Sequence, residues 1–160
     1  MRERVKGVLE AVFLKNVVIA RPSLKHAYSI AVLTRKFFPY LNFNMDSVLN
    51  RFKNKNIEYY VALLDGHTIG FVDVDFSGNS PRILGLAVLE EFQGNGVGTR
   101  LLHHALARVK KKGFKKVSLL VSEDNLRARR LYEREGFVKE GVFGKRLWGK
   151  TILVYGKKLE

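Results

Sequence analysis

The chain has 160 residues, 46% of them hydrophobic and only three of them proline, which suits one domain with one core and excludes an intrinsically disordered chain. It has no cysteine, so disulfides, thiolate metal sites and a thiol nucleophile are excluded, and a reducing, cytoplasmic setting is expected. Basic residues outnumber acidic ones 29 to 15, a net charge of +14 that bears on partners and solubility, not on fold.

Residues 3–14 set Val5, Val8, Leu9, Val12 and Phe13 between charges, which predicts an amphipathic helix and not a signal peptide. Residues 1–15 are therefore read as a helical extension of a single domain spanning 1–160. Val17–Ala20 predicts a first strand. Ser23 caps a helix running to about Phe38, which Pro39 ends, and a shorter helix is expected from Asp46 to Phe52. Ile57–Leu64 and Ile69–Phe76 read as strands joined by Asp65-Gly66-His67-Thr68, a hairpin signal. The turn Ser77–Pro81 leads into an apolar strand, Ile83–Val88. Val97, Leu101, Leu102, Ala105, Leu106 and Val109 then recur at helical spacing, with Lys110-Lys111-Lys112-Gly113 as a basic last turn and glycine stop. Lys116–Val121 is another apolar strand. A helix follows, capped by Asp124 or Asn125 and stopped by Gly136, then strands at Phe137–Phe143 and Thr151–Tyr155. No repeat, linker or apolar run near the roughly eighteen residues of a membrane span is present, so one domain without a membrane segment is expected.

Two segments carry chemistry. Gln93-Gly94-Asn95-Gly96-Val97-Gly98 joins the apolar strand to a helix start, where glycines admit a ligand close to the backbone and unpaired N–H groups face it. Such a junction is an anion site, most often for phosphate. A dinucleotide fingerprint would need a further glycine where Leu101 stands, and a P-loop would need Gly-Lys followed by Ser or Thr. No Gly-x-Ser-x-Gly elbow occurs. In the second segment, Asn125, Ala128 and Tyr132 lie at i, i+3 and i+7 and share one helical face. No metal site is expected. His103 and His104 diverge by about 100° on their helix, His67 lies in a hairpin turn and His26 on a surface helix, so each is read as an ordinary exposed residue.

Together the two segments resemble the GNAT superfamily of acetyl-CoA-dependent N-acetyltransferases. Gln93, Gly96 and Gly98 fill its Gln/Arg-x-x-Gly-x-Gly/Ala signature. Asn125, Ala128, Leu131, Tyr132, Gly136 and Phe137 match its later Asn-x-x-Ala-x-x-Leu-Tyr-x-x-x-Gly-Phe segment. The likeness is strongest over residues 81–138 and extends more weakly to about 155. It implies an α/β fold, a mixed sheet with splayed central strands flanked by helices, and acetyl-CoA as cosubstrate. It implies that backbone N–H groups of Gln93, Gly94, Asn95, Gly96, Val97, Gly98 and Thr99 cradle the pyrophosphate. Leu86, Ala87 and Val88 are expected to pair with the pantetheine arm like an added strand, one of their N–H groups polarising the thioester. Asn125 is expected to bond the pantetheine amide, and Ala128 to leave room for the arm. Tyr132 is the candidate general acid for the leaving thiolate, its other reading being a core aromatic beside Leu131 and Phe137. Many members carry Arg or Lys just after the glutamine; Gly94 and Asn95 here shift that task to the backbone. Arg100, Arg127 and Arg130 are candidates for the ribose 3′-phosphate, or else solvated charges.

The strand before the glycine loop carries no carboxylate, so no general base is legible. Asp73 and Asp75 share a face of the preceding strand, as substrate-site candidates or as solvent-facing alternation. With no cysteine, direct transfer in a ternary complex is expected over a covalent acyl-enzyme. The acceptor is expected to be a protein or peptide amine or a small neutral amine, selected by the first helices and the Gly141–Lys150 connection. The net charge leaves a second class open, a non-enzymatic RNA- or ribosome-associated or coenzyme A-binding module. The clusters Lys110–Lys112 and Arg127–Arg130 lack the interleaved aromatics that would favour nucleic acid.

Overall fold

The computed structural model describes residues 2–160. Seven strands, β1 (Val17–Ala20), β2 (Ile57–Leu64), β3 (His67–Asp75), β4 (Arg82–Val88), β5 (Lys116–Ser122), β6 (Val138–Val142) and β7 (Ile152–Lys158), form one sheet in the order β1-β2-β3-β4-β5-β7-β6. All neighbours run antiparallel except β4 and β5. The helices are α1 (Arg2–Lys15), α2 (Ala27–Phe37), α3 (Met45–Lys53), α4 (Val97–Lys111) and α5 (Leu126–Arg134). None among the described residues is long and apolar enough to cross a membrane.

Strand alternation sends successive side chains of β2 and β3 to opposite faces, so the sheet has two cores. On one face the stripe Val97, Leu101, Leu102, Ala105, Leu106 and Val109 of α4 packs against Tyr60, Ala62, Val72 and Val74. On the other, Ala27, Ile30, Ala31 and Leu33 of α2 and Val48 of α3 cover Tyr59, Val61, Phe71 and Ala87. Each fully buried Leu or Ile contributes about 1.5–3 kcal/mol, which fixes both helical layers on the sheet.

The feature that positions the site is a bulge. Asp73 pairs with Gly85 while Val74 pairs with Ile83, so Leu84 is an extra residue in β4. The bulge bends β4, which meets β5 only at Arg82–Ser118 and Ile83–Leu119. Beyond those two pairs the strands part.

Two local expectations are corrected. The Ser23 cap precedes a 3₁₀ turn, Leu24–His26, before α2 begins. His26 is not a surface residue: it is buried, its Nδ1 accepts the Ser23 N–H at 2.9 Å, and burial lowers its pKa. The apolar pattern of α1 does form a helix, yet none of its residues is buried.

Candidate active site

The glycine loop folds as its sequence requires. Gly94 and Gly96 sit at φ +80° and +85°, where a side chain is strained, and Gly96 is the N-cap of α4. The first helical bond runs from Arg100 N–H to Gly96 O. Among the described residues, no backbone N–H from Gly94 to Thr99 has an internal acceptor. Six consecutive free donors at the positive end of a fifteen-residue helix form a built anion cradle. The Gln93 N–H lies outside it, donating to Glu90 O, while its side-chain Nε2 donates to Val88 O at 2.8 Å.

This cradle closes one end of a cleft of about 980 Å³ that opens where β4 leaves β5 and is walled by the end of β4 and by α5. Leu86, Ala87, Val88, Asn125, Ala128 and Tyr132 all line it. The Leu89 N–H donates to Ile69 O on β3, and alternation therefore turns the backbone groups of Ala87 into the β3 ladder and those of Leu86 and Val88 into the gap. The Ala87 backbone thus pairs within the sheet, while the residue itself still lines the cleft. Asn125 caps α5 by accepting the Ala128 N–H at 3.2 Å through Oδ1, which leaves its amide N–H₂ for the cleft.

Tyr132 is buried, its ring edge-on to Phe137 at 5.6 Å, so it is part of the core and yet reaches the cleft. Its hydroxyl makes no hydrogen bond among the described residues. Burial pushes its pKa well above 10.0 and keeps the phenol protonated.

Arg127, Arg130 and Arg134 line the same cleft and form no ion pair with a described carboxylate. Arg134 was not singled out by sequence, although i, i+3, i+7 spacing from Arg127 marks the row. Arg100 lies elsewhere: its guanidinium donates to Leu14 O and Val17 O, both at 2.6 Å. It is thus not free for a phosphate.

The two aspartates form no open acidic pocket. Asp73 is 1% exposed and paired with Arg51 at 2.6 Å, so it does not face solvent. Burial pushes its carboxyl up to about 6 against the pull of Arg51 and the Gly85 amide. Asp75 is half-buried and accepts the Ser77 N–H at 2.9 Å.

An aromatic run leads away from the bulge on the α2 side. Phe37 lines the cleft, and the Phe38 ring lies beside Gly85. Phe38 meets Tyr40 edge-on at 6.3 Å, and Tyr40 stacks on Trp148 of the β6–β7 connection at 3.7 Å.

A sheet splayed at a bulge, with a run of free loop amides and with arginines that pair with no described carboxylate, offers a candidate site for an extended ligand with an anionic end. The model of the acetyltransferase (GNAT) family matches residues 24–137. The chain belongs to that family. It is 39% identical over 79 residues to an uncharacterized N-acetyltransferase of Archaeoglobus fulgidus, covering 45% of this chain and 54% of that one. The chain spans about half the length of the curated relatives it matches. Among solved structures it resembles Ard1 of Thermoplasma volcanium, with a TM-score of 0.82 at 22% identity over 91% of this chain and 99% of the other. The PaiA N-acetyltransferase of Thermoplasma acidophilum, solved in complex with coenzyme A, gives 0.78 at 22% identity over 89% and 98%. These likenesses establish the GNAT fold.

Proposed function

We propose that this chain moves an acetyl group from acetyl-CoA to a primary amine by direct transfer in a ternary complex. The observation that carries this reading is the run of free backbone N–H groups at Gly94–Thr99, of which Gly94, Gly96, Gly98 and Thr99 line the cleft. Bound acetyl-CoA supplies a thioester whose acetyl group passes to the amine as the thiol leaves. The Gly94–Thr99 amides bind the pyrophosphate, and Arg127, Arg130 and Arg134 take up the remaining phosphate charge. Leu86 and Val88 offer the backbone groups that align the pantetheine arm and polarise the thioester carbonyl. Asn125 donates to the arm's amide. Tyr132 keeps its proton through burial and gives it from its hydroxyl to the leaving sulfur.

The acceptor enters from the α2 side, where Phe37, Phe38, Tyr40 and Trp148 wall the approach. That wall is apolar and suits a peptide amine or a small neutral amine. The lack of cysteine supports a reducing, cytoplasmic setting.

Gly98→Glu tests the reading cleanly. Gly98 has no positive φ, and a Cβ there meets its nearest neighbour, Leu131, at an ordinary 3.7 Å. The fold should survive, while a carboxylate among the cradle amides should weaken CoA binding by at least about 100-fold. A folded Gly98→Glu protein that binds CoA as the wild type does, by calorimetry, would overturn the assignment.

A further inference from the structure

The first helix stands outside the residues matched by the family model, and its last turn touches the glycine loop. Val5, Val8, Leu9 and Val12 are 53–63% exposed, so most of its apolar stripe packs on nothing. Only the last turn is engaged, and it meets Phe92, Gly96 and Arg100, which are spaced four residues apart. Phe13 stacks on Phe92, the last residue of the short turn leading into Gln93, with centroids 5.9 Å apart and planes 12° from parallel. Leu14 covers Gly96, so that a Cβ at Gly96 would stand 3.2 Å from its Cδ1. Arg100, in the first turn of α4, reaches back to Leu14 O and Val17 O. Leu14 O is one of the carbonyls that a helix C-terminus leaves without an internal partner, at the negative end of the helix dipole.

The three contacts fall before, within and just beyond the run of free amides. That run needs such support. It holds two glycines at positive φ, and among the described residues none of its backbone N–H groups has an internal acceptor, so ordering it against an anion costs conformational entropy. Fixing the loop in advance removes part of that cost from binding. We infer that the last turn of α1 is a brace for the anion cradle, with Leu14, Phe13 and Arg100 as positioning residues for the pyrophosphate end of the cofactor.

The inference rests on the acetyl-CoA reading of the cleft, and its test separates the two. Leu14→Ala removes the contact at Gly96, and Arg100→Met keeps the volume but removes both donated hydrogen bonds. Each variant should bind CoA and dephospho-CoA roughly 5- to 10-fold more weakly, in the range usual for coupled sites. KM for acetyl-CoA should rise by the same factor, with kcat and the acceptor KM unchanged. Arg100→Lys, which keeps a donor, should recover most of the loss. Acetyl-pantetheine lacks the pyrophosphate, so its kcat/KM should be the same in all four proteins. Variants that stay folded and bind CoA as tightly as wild type would overturn the brace alone. An equal loss with acetyl-pantetheine would also overturn it, by placing the effect away from the cradle. Wild-type protein that binds no CoA would overturn the functional reading, and the brace with it.

Discussion

Tyr132 sits where core and cleft meet, so the proposed proton donor is also a packing residue. Its ring packs on Phe137 in the core, while the residue lines the cleft and its hydroxyl has no partner among the described residues. Tyr132→Phe keeps the packing and deletes only the proton donor. Turnover should therefore fall by roughly 100-fold with little change in CoA affinity or thermal stability. Equal turnover in the variant would reduce Tyr132 to a packing residue. Because burial raises the phenol above its ordinary 10.0, the donor stays protonated through the working range. The acceptor amine, in contrast, must lose a proton to attack. The pH–rate profile should accordingly rise through neutrality and show no falling limb from Tyr132 below pH 10.0.

At the level of elements, one carboxylate ties three parts of the fold together. Glu58 of β2 is 7% exposed and accepts Arg108 Nε at 2.9 Å and Nη2 at 3.0 Å from α4. Lys112 lies at 3.1 Å, Arg21 between β1 and α2 at 3.3 Å, and the Tyr60 hydroxyl donates at 2.5 Å. Burial pushes the Glu58 pKa up, but hydrogen bonds from Arg108, Tyr60 and Lys112 outweigh it and hold the carboxyl well below its ordinary 4.5. A depressed carboxyl stabilises the fold above its unfolded value, and that stabilisation is lost as pH falls below about 4.5. Glu58→Gln should cost about 3 kcal/mol at neutral pH by leaving three cations without their shared partner. Denaturant titrations of both proteins at pH 7 and pH 3 check this, the gap between them closing in acid. A gap that is the same at both pH values would count against the ion cluster.

Over the whole molecule, the net charge of +14 is unevenly compensated. Glu58 neutralises part of a cluster on the α4 face, whereas Arg127, Arg130 and Arg134 remain unpaired along the cleft. The excess positive charge repels free polycations, more strongly at low salt. Spermidine should therefore be a poorer acceptor than a short neutral peptide at low salt, with the difference narrowing as salt is added. Trp148, the chain's single tryptophan, reports acceptor binding directly, because it stacks on Tyr40 at the proposed entrance. Its fluorescence should change on adding the preferred amine and stay constant on adding CoA alone. Spermidine as the best acceptor at low salt would overturn the charge argument.

The sequence by itself determined whatever rests on local pattern. The glycine spacing at 94–98, the helix face of Asn125, Ala128 and Tyr132, and the strand and helix order are set by backbone freedom and short-range periodicity. The tertiary structure decided whatever depends on residues far apart in the chain. Nothing local to Arg100 shows that carbonyls more than eighty positions earlier capture its charge. Nothing local to Asp73 shows that Arg51 and the bulge at Gly85 enclose it. His26 is buried because helix packing overrode a surface-like pattern, and strand pairing register, not local pattern, chooses which backbone groups of β4 face the gap. Periodicity names the face of an element, but only the packing of one element on another decides what that face meets.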